Sequence, residues 1–282
     1  MPEATLYRRT IATLGLFTLT AGDFFRYTLT WWGWGAIVVV LLVLGIVEIV
    51  RARVDVRRLP LTLFALLALM LLSTIWSDYP VWTLLGFLAT LVTTTFGVFL
   101  ATTMSLTTLL RCFGTALRWI LGLSLLFELL VSVVIGHRIL PLWTSYPGLA
   151  KIPNAYYWSR DLLLHGGSIQ GIVGNSNLLA FAAMLALIVF AIQFASRSAS
   201  RFWLGVWIVV AIGTLALARS STVLAATLVA AAVMAFVLIV RSLSGRRRVA
   251  AYGVGAAILV ASVVVVLIER APLLKLLGKT SD

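Results

Sequence analysis

Apolar stretches of about twenty residues return along this chain from end to end, parted by short polar segments that hold arginines or turns. Roughly 20 residues, rising about 1.5 Å each, cross the hydrocarbon core of a bilayer as a helix. A helix satisfies its backbone hydrogen bonds internally, which that core demands. The sequence therefore reads as all-α, a polytopic transmembrane helical bundle. Composition agrees: 62% of residues are hydrophobic and 11% charged, against about 25% charged in a soluble domain.

Nine spans are predicted, at about 10–26, 31–50, 60–76, 81–102, 119–136, 178–195, 203–218, 222–240 and 250–268. The stretch 203–240 is broken only by "ARSST" at 218–222. One helix of that length would overshoot the membrane, so a tight hairpin is expected. No repeat, linker or low-complexity tract is visible, and residues 1–282 are assigned to one membrane domain. The opening "MPEATLYRRT" lacks a small-residue cleavage site and is read as a cytoplasmic tail leading into a retained span.

A formal net charge of +13 raises the question of nucleic-acid binding. The placement of the charges answers it. With the N-terminus cytoplasmic, the inner segments hold Arg8, Arg9, Arg51, Arg53, Arg57, Arg58, Arg111, Arg118, Arg197 and Arg201. Arg241, Arg246, Arg247 and Arg248 follow on the same side. These short basic segments are what the positive-inside rule predicts, so the charge sets topology and no nucleic acid is expected as a partner. Nine spans then leave the C-terminus external. Trp31, Trp32, Trp34, Trp76 and Trp82 fall at predicted outer span ends, the level that indole rings favour.

Cys112 is the single cysteine, and His137 and His165 are the only histidines. No intramolecular disulfide or multi-cysteine metal site is possible, and a histidine-rich one is not expected. Walker, dinucleotide, zinc and nucleophile-elbow motifs are absent. Neither metal nor cofactor is expected, and any chemistry would rest on positioning and charge.

The longest external segment is 137–177, with Lys151, Arg160, Asp161 and His165 among Trp143, Tyr146, Tyr156, Tyr157 and Trp158. Aromatic faces stack on sugar C–H groups while basic groups pair with phosphate. The same composition would also suit an outer-leaflet aromatic belt. The segment closes on "GIVGNSN" (Gly171–Asn177). Asn175, Ser176 and Asn177 are all good N-caps for the next span, and Gly171 and Gly174 permit positive φ. A helix N-terminus there also offers free N–H groups to an anion such as a lipid-linked pyrophosphate. Arg219, in the hairpin "LALARSSTVLAA", is either a phosphate-binding arginine or one that snorkels to headgroups. Glu128, in "LSLLFELLVS", is an intramembrane carboxyl group that needs a partner. Arg118 lies about 15 Å away by the helical rise, so that partner must come from another span; a protonated carboxyl group or a purely structural bond to a neighbouring helix are the alternatives.

Three segments carry a family likeness. "STIWSDYP" (Ser73–Pro80) is similar to a Ser-x-x-Trp-Ser-x-x-Pro pattern, and "GIVGNSNLLAFAAMLAL" to a Gly-x-x-x-Asn-x-Asn segment. "LALARSSTVLAA" is similar to an arginine-bearing hairpin. In this order among the spans, they resemble the O-antigen ligase and polysaccharide polymerase family of bacterial membrane proteins. The resemblance implies glycan transfer from an undecaprenyl-pyrophosphate carrier to a glycan or lipid acceptor, at the outer face of the cytoplasmic membrane. It implies that Arg219 acts on the pyrophosphate; Arg160, near Ser168, is expected to stand in as a second catalytic arginine. Gly171, Asn175, Asn177, Lys151 and Glu128 are the expected substrate-binding residues. Many relatives carry an arginine where this chain has Ser168. The family's histidine-bearing external loop would begin about where the chain ends, at "LLGKTSD", so a fragment of a longer protein is expected. His165 lies in a different loop and is not its counterpart. A transporter or lipid flippase, with Glu128 and Arg219 lining a polar path, is the alternative, and a non-catalytic scaffold of a polysaccharide export complex is a third. Ligase or polymerase, the identity of the glycan and the oligomeric state stay open.

Overall fold

The structure, a computed structural model, describes residues 5–268 except 148, 150 and 198. Nine α-helices make up the described chain: α1 (Leu6–Thr20), α2 (Gly22–Arg51), α3 (Leu61–Leu72), α4 (Pro80–Thr103), α5 (Leu106–Leu130), α6 (Ser176–Ala195), α7 (Arg201–Ala218), α8 (Ser221–Ser242) and α9 (Gly245–Ile268). Six are long and apolar enough to cross a membrane: α2, α4, α5 with the π-turn that extends it to Ile135, α6, α7 and α8. The chain is thus a multi-pass membrane protein by its helices. At 15 and 12 residues, α1 and α3 are shorter than a full perpendicular crossing. The external tail predicted beyond 268 lies outside the described residues.

Several predicted boundaries move. The span placed at 10–26 stops at Thr20, where the N–H of Ala21 closes the helix on the carbonyl of Phe17 at 2.7 Å. The chain restarts at Gly22 and breaks again inside α2 at Thr30 (φ 67°, ψ 178°). Residues 22–29 therefore form a short arm carrying Asp23, Arg26 and Tyr27, set apart from the long apolar rod that follows. The span placed at 119–136 begins at Leu106, where the Ser105 hydroxyl caps the helix by accepting from the Thr108 N–H at 3.3 Å. Arg111 and Arg118 lower the local hydropathy and read as loop. Yet Thr108, Cys112, Ala116, Leu117, Ile120 and Leu121 recur at helical spacing on the buried face.

The helices pack in a sequence that chain order does not follow. α6 lies against α5, α7 and α8, α5 against α1, and α1 against α2, which in turn meets α4. The centre is α6, whose buried face holds Ala180, Ala182, Ala183 and Ala186. Small residues let neighbouring backbones approach closely where no hydrophobic effect drives association. By contrast, α8 buries only Val223 and Val240 and leaves Leu228, Val229, Val233 and Leu238 exposed, as a lipid-facing helix would.

The ends predicted as cytoplasmic meet one another. Glu48, near the end of α2, takes Arg8 of α1 at 2.5 Å and Arg51 at 3.1 Å. Arg118 of α5 donates to Gln193 near the end of α6 at 2.9 Å, and Gln193 donates to the Leu110 carbonyl at 2.7 Å. These polar ties sit at one end of the bundle. The site lies at the other.

Candidate functional site

Segment 137–177 folds back over the ends of α5, α6 and α7 because Glu128 pins it there. The Glu128 side chain is buried, 1% exposed. Oε1 accepts from the backbone N–H groups of Gln170 at 2.9 Å and Gly171 at 2.7 Å, and Oε2 accepts from the Ser159 hydroxyl at 2.8 Å. One turn earlier on α5, Ser124 Oγ accepts from the Ile172 N–H at 3.2 Å. The partner that Glu128 required is loop backbone, not a cation on another span. Three buried donors that would each cost roughly 1–3 kcal/mol unpaired are satisfied by one side chain. Trp158 closes the fold from above, its indole N–H donating to the Ile172 carbonyl at 3.1 Å, and Ile139 pairs with Ser159 in an isolated antiparallel bridge.

Gly171 and Gly174 are demanded by both shape and space. Their φ angles are +59° and +65°. A Cβ on Gly171 would lie 2.6 Å from Ser124, and one on Gly174 would lie 2.5 Å from the ring of Tyr27. Beyond them Asn175 caps α6, its Oδ1 accepting from the N–H groups of Asn177 at 2.8 Å and Leu178 at 3.3 Å.

The α7–α8 hairpin is bonded to this segment on both sides of Arg219. The Ile169 N–H donates to the Leu217 carbonyl at 3.2 Å. The Ser220 hydroxyl donates to Asn177 Oδ1 at 2.7 Å while capping α8 by accepting from the Val223 N–H at 3.3 Å. The cap of α8 is therefore bonded to the first turn of α6. Arg219 itself is exposed, in a left-handed conformation (φ 50°, ψ 38°) at the C-cap of α7.

Arg160 reaches the position of Ser168. Its Nη2 donates to Ser168 Oγ at 2.9 Å and to the Ser168 carbonyl at 3.2 Å, and its Nε donates to Gln170 Oε1 at 3.2 Å. These bonds leave Nη1, with two further N–H groups, outside the set. A guanidinium thus stands beside residue 168 although the residue there is serine. Next to it Asp161 is buried (φ 56°), with His165 Nδ1 at 3.6 Å from its Oδ2.

Of the expected site residues, the structure joins Glu128, Arg160, Gly171, Asn175 and Asn177 in one hydrogen-bonded unit, and Arg219 stands beside it between the bonded Leu217 and Ser220. Lys151 is exposed, elsewhere on the segment. "STIWSDYP" forms the turn between α3 and α4: Ser77 Oγ accepts from the Tyr79 N–H at 3.1 Å, and Pro80 opens α4. Its Ser73–Ile75 turn packs on those two helices.

Ser124 and Ser159 were not legible as site residues, since a serine in an apolar helix or an aromatic loop carries no signal of its own. Arg26 is hidden as the last residue of the predicted 10–26 span, and Tyr27 as the first residue after it. They line a cleft of about 390 Å³ with Trp143 and Tyr156. Trp143 is fixed there by its indole N–H, which donates to the Thr28 carbonyl, and the Leu142 N–H donates to the Tyr27 carbonyl at 3.0 Å.

No family model, characterised protein or solved structure matches the chain. Among the described residues no group of three or more His, Cys, Asp or Glu side chains is placed to hold a metal ion.

Proposed function

We propose that this protein transfers or polymerises a glycan from a polyprenyl-pyrophosphate carrier at the outer face of a bacterial cytoplasmic membrane, in the manner of the O-antigen ligases and polysaccharide polymerases its three motifs resemble. The observation that carries the reading is the junction at Arg219. Two helix N-termini, α6 and α8, are bonded together there, with Arg219 between α7 and α8 and Arg160 held to the adjoining Ser168 and Gln170. Helix N-termini and guanidinium groups each favour an anion. A pyrophosphate is the anion whose lipid tail enters sideways from the bilayer.

In such a transfer the acceptor hydroxyl oxygen bonds to the anomeric carbon and its proton passes to solvent water. The bond from that carbon to the pyrophosphate oxygen breaks, and the electron pair leaves with the polyprenyl pyrophosphate. Arg219 and the free Nη1 of Arg160 would offset the charge that grows on the departing phosphate, an interaction worth most in the transition state. Glu128, Ser124 and Ser159 act as positioning residues by holding the loop, and Asn177 by holding the hairpin.

The test is the surface polysaccharide profile of cells carrying Arg219→Gly in the full-length protein. Loss of polymer with unchanged membrane insertion is expected. A normal yield and length distribution would overturn the assignment of Arg219 and reduce it to a helix-terminating residue.

A further inference from the structure

The Arg26 cleft lies outside the unit built on Glu128 but adjoins it through one ring. Tyr27 lines the cleft, packs edge-on against Trp158 at 5.6 Å between ring centroids, and bounds the space at Gly174. The cleft walls are aromatic: Trp31, Trp143 and Tyr156, with Tyr146 stacked on Tyr156 at 4.8 Å and 19°. At about 390 Å³ it falls within the range of small-molecule sites, about 300–1,000 Å³. Its charge is balanced. Arg26 lies 2.6 Å from Asp23 and over the Trp31 ring at 4.5 Å. The guanidinium lines the cleft and offers donors to a neutral ligand rich in hydroxyls, while its pairing with Asp23 makes it attract a bare phosphate far less than an unpaired arginine would.

The backbone points the same way. Thr30 lines the cleft at φ 67°, ψ 178°, a region almost reserved for glycine and one where strain gathers at ligand sites. That break swings the 22–29 arm out of line with the rest of α2 and brings Arg26 and Tyr27 against Pro141 and Trp143 of the loop.

We infer that this cleft binds a pyranose unit of the glycan, ring against aromatic faces and hydroxyls against Arg26 and Thr144. The inference rests on the glycan-transfer reading for its biological setting, while binding itself is measured without turnover. The full-length protein in nanodiscs is mixed with the methyl glycosides of glucose, galactose, mannose, rhamnose and N-acetylglucosamine, and saturation-transfer NMR is recorded. At least one glycoside is expected to receive saturation at its ring C–H protons. Trp31→Ala and Tyr156→Ala, both at exposed side chains, should each weaken that signal at least fivefold. Arg219→Gly should leave it intact. Displacement of the glycoside by a polyprenyl-pyrophosphate-linked monosaccharide makes the cleft a donor subsite, co-binding makes it an acceptor subsite, and both support the inference. No signal from any glycoside, a signal indifferent to both aromatic substitutions, or displacement by glycerol 1-phosphate as a lipid-headgroup mimic would overturn it. Loss of polymer in Arg219→Gly alongside a null result here would sink the cleft and leave the transfer reading standing.

Discussion

Arg219 occupies a backbone conformation that costs an ordinary L-residue about 1–2 kcal/mol. Glycine would relieve that cost and remove the guanidinium, so Arg219→Gly separates charge from fold. The variant is expected to melt at or slightly above the wild-type temperature in detergent while its polymer output collapses. A second pair of substitutions isolates space from conformation. Gly136 and Gly171 share positive φ, at +67° and +59°, but nothing stands within 4 Å of a Cβ on Gly136. Gly136→Ala should therefore cost only the left-handed penalty, about 1–2 kcal/mol. Gly171→Ala adds an overpacked contact on Ser124, worth roughly a further 1–3 kcal/mol. Thermal unfolding followed by tryptophan fluorescence ranks the two, and equal losses would mean that the loop does not press on α5 as described.

At the scale of elements, the external segment and α5 are one unit because of Glu128. Glu128→Gln keeps a carbonyl oxygen for the two backbone N–H groups and an amide toward Ser159. Glu128→Ala strands all three donors, at about 1–3 kcal/mol each. The alanine variant should become sensitive to limited proteolysis within 137–177 and the glutamine variant should stay close to wild type; a carboxyl group on a transport path would instead make the glutamine variant inactive. Arg160 offers a sharper experiment. Since its Nη2 lies 2.9 Å from Ser168 Oγ, the guanidinium could be supplied from either residue. Arg160→Ala is expected to lower polymer yield at least tenfold, and the double variant Arg160→Ala, Ser168→Arg to recover part of it. A double variant no better than the single one would separate the likeness at residue 168 from the function.

For the whole molecule, the positive-inside rule predicts the orientation, and the only native cysteine, Cys112, is buried at 5% exposure. Cysteines introduced at the exposed positions Lys151 and Arg241 should report opposite sides. A membrane-impermeant maleimide applied from outside should label Lys151→Cys in intact cells and Arg241→Cys only after permeabilisation. The reverse pattern would invert the topology.

The helices were legible in the sequence because apolar length is a local property that one window reveals. The 178–195 span and the 203–240 hairpin lie within a few residues of α6, α7 and α8. Where arginines interrupt a helix that has a buried face, as at Arg111 and Arg118, hydropathy hid the first turns of α5 although periodicity was present. Residue type alone marks Arg219 by its setting in a hairpin, Glu128 by its setting in a span, and Asn175 by its capping chemistry. Their joining was not visible, for hydrogen bonds such as Glu128 to Gly171 or Ser220 to Asn177 link residues more than forty positions apart. The same holds for Arg26, which looked like the frayed end of a helix. The sequence alone determined that the chain forms apolar helices with basic connections, since bilayer length and backbone satisfaction act on each segment separately. Only the tertiary structure decided that Glu128 clamps a loop and that Arg160 stands at Ser168. It also decided that a break at Thr30 presents an aromatic cleft, because each of these depends on side chains meeting across the bundle.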